Sequence, residues 1–87
     1  MKATEFYVHR EKKGFLSEDG ILTNYYHNGM IESLGPFKDE KMEGMWRFFR
    51  ENGSLLSTGN FLHSRKVGRW ITYTIEGEIL SDECIST

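Results

Sequence analysis

Three glycines spaced 24 residues apart, Gly29, Gly53 and Gly77, constrain this chain most, because the residues around them recur at the same interval. Tyr25, Phe49 and Tyr73 precede them; Ile31, Leu55 and Ile79 follow; Leu22, Trp46 and Trp70, and Gly20, Gly44 and Gly68, keep the same step. The stretches "MWRFFRENG" (Met45 to Gly53) and "RWITYTIEG" (Arg69 to Gly77) thus read Trp, aromatic, Gly in one rhythm. A period of this length is that of a repeated supersecondary unit, too small to bury a face alone and stable only when stacked on its neighbours. Gly35 and Gly59 give way to Glu83, and Phe37 and Phe61 to Ile85, so the last copy degrades. The chain divides into a worn half-repeat or cap over 1–20, units over 21–44 and 45–68, and a partial unit over 69–87, all within one domain. Phe15 aligns with Phe37 if the connection after it is shorter.

Each unit holds two short runs of aromatic and β-branched residues around a polar residue and Gly, which is a hairpin signal. Asn28-Gly29 and Asn52-Gly53 predict type I′ turns, in which both central residues take positive φ. The segments "KDEKMEG" and "HSRKVG" then connect one hairpin to the next, with the single proline, Pro36, near a strand end. No apolar pattern of helical period competes. The expected fold is all-β: a single curled antiparallel meander of about six or seven strands.

A two-residue turn at Asn52-Gly53 sets the register. It places Arg50 opposite Leu55 and Trp46 opposite Gly59; its counterparts place Leu22 opposite Gly35 and Trp70 opposite Glu83. Trp46 is therefore expected to shield the backbone of Gly59, as an aromatic laid across a strand glycine does. Alternation assigns Leu22, Trp46, Trp70, Ile31, Leu55, Ile79, Phe37, Phe61 and Ile85 to a core face. It assigns Tyr25, Phe49 and Tyr73, with Leu34, Leu56 and Leu80, to the other, where an apolar stripe marks a contact surface.

Little in the sequence points to catalysis. His9, His27 and His63 are scattered, and no C-x-x-C or H-x-x-x-H pair implies a metal. The glycines build no phosphate loop. Asp39, Glu40 and Glu43 alternate with Lys38 and Lys41, as in a solvated connection. The expectation is no enzyme activity, no cofactor and no metal. With 13 acidic against 11 basic residues, the net charge of −2 gives no global field for specific nucleic-acid binding. One cysteine, Cys84, forms no internal disulfide, and there is no signal-like apolar run, so a cytoplasmic setting is expected.

The units "YYHNGMIESLGPFKDEKMEGMW" and "FRENGSLLSTGNFLHSRKVGRW" resemble the MORN repeat variant found in bacterial antitoxin-like and other small proteins. Tyr25, Asn28, Gly29, Gly44 and Trp46 carry the likeness in one copy, and Phe49, Asn52, Gly53, Gly68 and Trp70 in the next; it spans Ile21 to about Leu80. The resemblance implies β-hairpin repeats, contact with protein or membrane, and no catalytic residues. The expected function is a non-catalytic protein-binding module of antitoxin or immunity type, using edge strands and a sheet face with Tyr25, Phe49, Leu56 and Tyr73 as contacts. Its partner is another protein or a second copy of itself. One alternative is a peripheral membrane protein whose Arg65, Lys66 and Arg69 bind anionic lipid; another is a homo-oligomeric structural protein.

Overall fold

A computed structural model describes residues 3–9 and 12–85, and the side chains of residues 14–85. Its strands are β1 (Ala3–His9), β2 (Lys12–Ser17), β3 (Ile21–Tyr25), β4 (Ile31–Lys38), β5 (Lys41–Met42), β6 (Gly44–Phe49), β7 (Leu55–Leu62), β8 (Arg65–Tyr73) and β9 (Ile79–Ile85). They form one antiparallel sheet in the order β1-β2-β3-β4-β6-β7-β8-β9, with the two-residue β5 folded back on β4. The meander is open and has eight strands, where the sequence predicts six or seven. Residues 3–9 and 12–17 supply a hairpin of their own, paired through β2 to β3.

The turns are not those the dipeptides predict. Gly53 N donates to Arg50 O (2.9 Å) and Arg50 N to Ser54 O (2.8 Å), which closes a three-residue loop, Glu51-Asn52-Gly53. Only Gly53 has positive φ (94°); Asn52 does not, so the turn is a type I turn with a glycine bulge rather than type I′. Tyr26 to Met30 and Thr74 to Glu78 repeat this geometry, with φ 89° at Gly29 and 95° at Gly77. The extra loop residue puts Arg50 opposite Ser54, not Leu55. A second bulge then restores the register: Phe49 pairs with Leu55 but Phe48 with Ser57, so Leu56 is the added residue. From there on Trp46 lies opposite Gly59, Leu22 opposite Gly35 and Trp70 opposite Glu83, as expected.

Two-residue turns with both residues at positive φ do occur, at the connections. Asp39 and Glu40 (52° and 63°) link β4 to β5, and His63 and Ser64 (52° and 67°) link β7 to β8. Neither pair has the composition that favours such a turn. Cross-bonding between units helps hold them: Ser64 N donates to Met42 O and Met42 N to Ser64 Oγ, both at 2.9 Å.

The core is built by indoles lying on glycines, although not on the glycines expected. A Cβ on Gly35 would come within 2.4 Å of the Trp46 ring, and one on Gly59 within 2.0 Å of the Trp70 ring. Each indole thus leans away from its forward partner and covers the glycine of the preceding unit. Trp46 is not the cover of Gly59. A hydrogen bond fixes each tilt: Trp46 Nε1 donates to Pro36 O (2.8 Å) and Trp70 Nε1 to Asn60 O (3.1 Å), each to the carbonyl just after the covered glycine. Trp46 is fully buried, and Trp70 and Leu22 nearly so; these are the buried hydrophobic side chains of the described residues. An indole buries roughly 200 Å² of apolar surface, which stabilises by about 5 kcal/mol at about 25 cal/mol/Å².

Two expected outcomes follow from this packing. Gly35→Ala and Gly59→Ala, which drive a methyl into an indole, are expected to destabilise by about 1–3 kcal/mol in urea unfolding. Glu40→Gly, which relieves a left-handed residue on an exposed turn, is expected to stabilise by about 0.5–1 kcal/mol on the same measurement.

Candidate functional site

The bulges decide which side chains share a face. Residues directly opposite each other project from the same side of a sheet, and Tyr25 pairs with Ile31, Phe49 with Leu55, and Tyr73 with Ile79. Ile31, Leu55 and Ile79 therefore lie with the Tyr25, Phe49 and Tyr73 ladder and not with the indoles. Leu56 makes the opposite change and lines a groove with Phe48, Phe61 and Trp70. A bulge inserts one residue and so reverses the alternation beyond it, which strand periodicity alone does not reveal.

Tyr25, Phe49 and Tyr73 sit at the turn ends of β3, β6 and β8 and are half-buried. Tyr25 meets Phe15 edge to face, with ring centroids 6.1 Å apart. Phe49 borders a hollow with Met30 and Ile31 between two hairpin tips. The backbone beneath this ladder is already used: Tyr26 Oη donates to Phe49 O and Arg50 Nη2 to Tyr73 O, both at 2.6 Å. Asn28 Nδ2 likewise donates to Glu51 O (3.0 Å). Much of the ladder's polar surroundings joins one unit to the next.

The indole face carries a set of mutually contacting rings. Phe61 stands edge to face against Trp70 (5.2 Å, 88°) and Trp46 (6.2 Å, 84°), and Phe48 lies 5.8 Å from Trp70 and 6.2 Å from Phe61. Phe48, Phe61 and Trp70, with Met42, Leu56, Ser57 and Lys66, line a groove of about 390 Å³. That volume suits one or two large side chains. Phe48 is the contact that sequence reasoning misses, yet it stands two positions from Trp46 on the same strand face, which is the signal that marks it.

The basic loop does not present three equivalent cations. Arg69 makes a two-pronged ion pair with Asp82, Nε to Oδ1 at 2.9 Å and Nη2 to Oδ2 at 2.6 Å. That hydrogen bonding lowers the Asp82 pKa and raises that of Arg69. The Lys66 ammonium lies 4.6 Å from the centre of the Trp70 ring, and Arg65 is exposed. Of the histidines, His63 Nδ1 meets Glu43 Oε2 at 2.9 Å, and among the described residues no three His, Cys, Asp or Glu converge as metal ligands. His9 lies outside the described side chains.

The ion pair predicts a specific titration. Because the folded-state Asp82 pKa is depressed, its contribution is present above the unfolded value and disappears as pH falls through the lowered one. Arg69→Gln is expected to move the Asp82 carboxyl upward in an NMR titration and to leave the fold intact, both partners being on the surface.

The MORN repeat variant profile matches residues 18–39 and 42–63, and the partial unit beginning at Arg69 lies outside the matched segments. No curated protein and no solved structure gives a match to the chain. The matched segments cover half of the sequence and fall on the hairpins built by Tyr25 to Ile31 and Phe49 to Leu55, so this protein belongs to the MORN repeat variant family, a non-catalytic binding repeat.

Proposed function

We propose that this protein is a non-catalytic protein-binding module that takes apolar side chains of a partner polypeptide into the indole-face groove. The carrying observation is the open aromatic surface of Phe48, Leu56, Phe61 and Trp70, rimmed by Lys66. Its Trp70 ring is pinned by a hydrogen bond from Nε1 to Asn60 O, so binding costs little ordering of that side chain. Lys66 at the rim favours a carboxylate beside the apolar residues of the partner. The ladder of Tyr25, Phe49 and Tyr73 forms a second candidate surface on the other face, without Leu56. An antitoxin- or immunity-type role is one form that such binding would take, and the lone Cys84 suits a reducing compartment such as the cytoplasm.

The membrane alternative rests on Arg65, Lys66 and Arg69, and the pairing of Arg69 with Asp82 and the seating of Lys66 on Trp70 weaken it. Few outward cations on a net acidic chain attract an anionic bilayer only slightly.

Affinity capture from the native host, with Leu56→Asp and Phe49→Asp compared against the unaltered protein, separates the two faces. Capture lost with Leu56→Asp and retained with Phe49→Asp is the expected result. The reverse pattern would move the site to the ladder, and co-sedimentation with anionic vesicles at low salt, abolished by Arg65→Glu, would replace the protein partner with a lipid surface.

A further inference from the structure

We infer that Asn52-Gly53 is a site at which the folded chain modifies itself: the Gly53 backbone nitrogen displaces the Asn52 side-chain amide, water completes the conversion, and Ser54 is the residue that favours it. The site is a hairpin tip and does not depend on the indole-face groove.

An asparagine followed by glycine is the pair in which this displacement meets least hindrance, because no Cβ stands beside the attacking nitrogen. The chain has four asparagines. Asn24 and Asn60 lie within strands β3 and β7 and precede Tyr25 and Phe61, whose side chains crowd the approach. Asn28 and Asn52 precede glycine at equivalent hairpin tips, and both are exposed. The third tip holds Glu76-Gly77, which has no amide to lose. In both Asn-Gly loops the attacking group is committed to the turn: Gly29 N donates to Tyr26 O (3.0 Å) and Gly53 N to Arg50 O (2.9 Å). Its release is an equal requirement at the two tips, and exposure does not separate them. The side-chain contacts do.

Asn52 Oδ1 accepts from Ser54 N (2.9 Å) and from Ser54 Oγ (2.8 Å), and among the described residues Asn52 Nδ2 has no hydrogen-bond partner. Asn28 Oδ1 accepts from Met30 N (2.9 Å), and methionine at that position has no hydroxyl to add. Asn28 Nδ2 donates to Glu51 O of the next hairpin (3.0 Å). One amide is thus held twice by its oxygen and free on its leaving side, whereas the other is stretched between two loops.

These contacts act on the steps of the conversion. Hydroxide takes the Gly53 N proton, and the nitrogen attacks Asn52 Cγ, forming a C–N bond and moving the carbonyl electron pair onto Oδ1. Hydrogen bonds to an oxygen that gains charge strengthen as the charge develops, so the two Ser54 donors favour the transition state over the resting amide. The Cγ–Nδ2 bond then breaks, and Nδ2 takes a proton from water and leaves as ammonia. The cyclic imide that remains adds water at one of its two carbonyls and opens to aspartate or isoaspartate, with nothing oxidised or reduced. At Asn28 the oxygen has one donor, and the bond to Glu51 O resists the swing of Cγ toward Gly29 N.

The two products differ in consequence. Aspartate keeps the oxygen that accepts from Ser54 and adds one negative charge to the tip. Isoaspartate routes the main chain through Cγ and adds a carbon to the Glu51-Asn52-Gly53 loop, which upsets the spacing of the bonds that close it, Gly53 N to Arg50 O and Arg50 N to Ser54 O. Arg50 Nη2 holds Tyr73 O, so the disturbance passes to the next hairpin.

Peptide mass spectrometry of the full chain held in mildly alkaline buffer made with heavy-oxygen water tests the inference, with an isoaspartyl methyltransferase as the probe for isoaspartate. Near-UV circular dichroism of Trp46 and Trp70 establishes the folded state, and the same chain in guanidinium chloride is the unfolded reference. In the folded chain Asn52 is expected to convert at least about threefold faster than Asn28, and Ser54→Ala to slow Asn52 by about two- to tenfold, the range that one hydrogen bond spans. In guanidinium chloride both the preference and the effect of Ser54→Ala should vanish, because the contacts are gone. Equal rates at the two sites of the folded chain, a faster Asn28, or a preference that persists in guanidinium chloride would overturn the inference. So would an Asn52 that stays unconverted in the folded chain while it converts in the unfolded one, or a folded Ser54→Ala chain that converts at the unaltered rate.

Discussion

An indole lying flat on the glycine of the neighbouring strand is the contact on which the rest of this sheet depends. Gly35 and Gly59 have no side chain because the Trp46 and Trp70 rings occupy that space, and the ring nitrogens bond to the carbonyls of Pro36 and Asn60. The arrangement removes two large apolar groups from water in a single layer that, among the described residues, has no second sheet to cover it. It also directs the dependence between units: each tryptophan completes the unit before it. Phe48 and Phe61 then pack against the hydrogen-bonded Trp70 ring, with centroids 5.8 Å and 5.2 Å from it, and all three rings line the groove.

Bulges make the layer curl and distribute its side chains. Each hairpin contains a glycine bulge in its loop and a second bulge one pair along, so that two displacements compensate and the Trp-to-Gly register survives. A further shift falls within the long pairing of β7 with β8, between Thr58 and Asn60. Irregular pairings of this kind increase local twist and bend the strand. They leave Leu56 and Phe49 on different surfaces although they lie on adjacent strands, and this separation makes the two faces independently testable.

The sequence reveals the repeat, the all-β class and the cross-strand pairs through Trp46, because a 24-residue period and a constant hairpin spacing survive any local irregularity. It conceals the direction in which the indole leans, since Trp46 has a glycine on either side, Gly35 on β4 and Gly59 on β7, and pairing alone favours neither. It misplaces Leu56 and Ile31 because alternation counts residues without seeing a bulge. It misplaces the left-handed turns because Asn52-Gly53 has the preferred composition while Asp39-Glu40 and His63-Ser64 have the conformation. The latter turns are held by the contacts between units, including the bonds of Ser64 with Met42, and tertiary contacts override local preference there. Arg69 reads as one of a basic cluster until register places Asp82 diagonally across from it on β9.

In this repeat each indole packs on the glycine of the unit before it. The indole that covers Gly59 comes from β8, and the position after it in the same series is Glu83, whose side chain removes the bare backbone that a further indole would need. The third unit thus differs from the first two at the glycine position but keeps the apolar residues Ile79 and Leu80 beside it. Glu83 places a side chain where Gly35 and Gly59 are bare, so an indole cannot lie on this backbone as the Trp46 and Trp70 rings lie on those glycines.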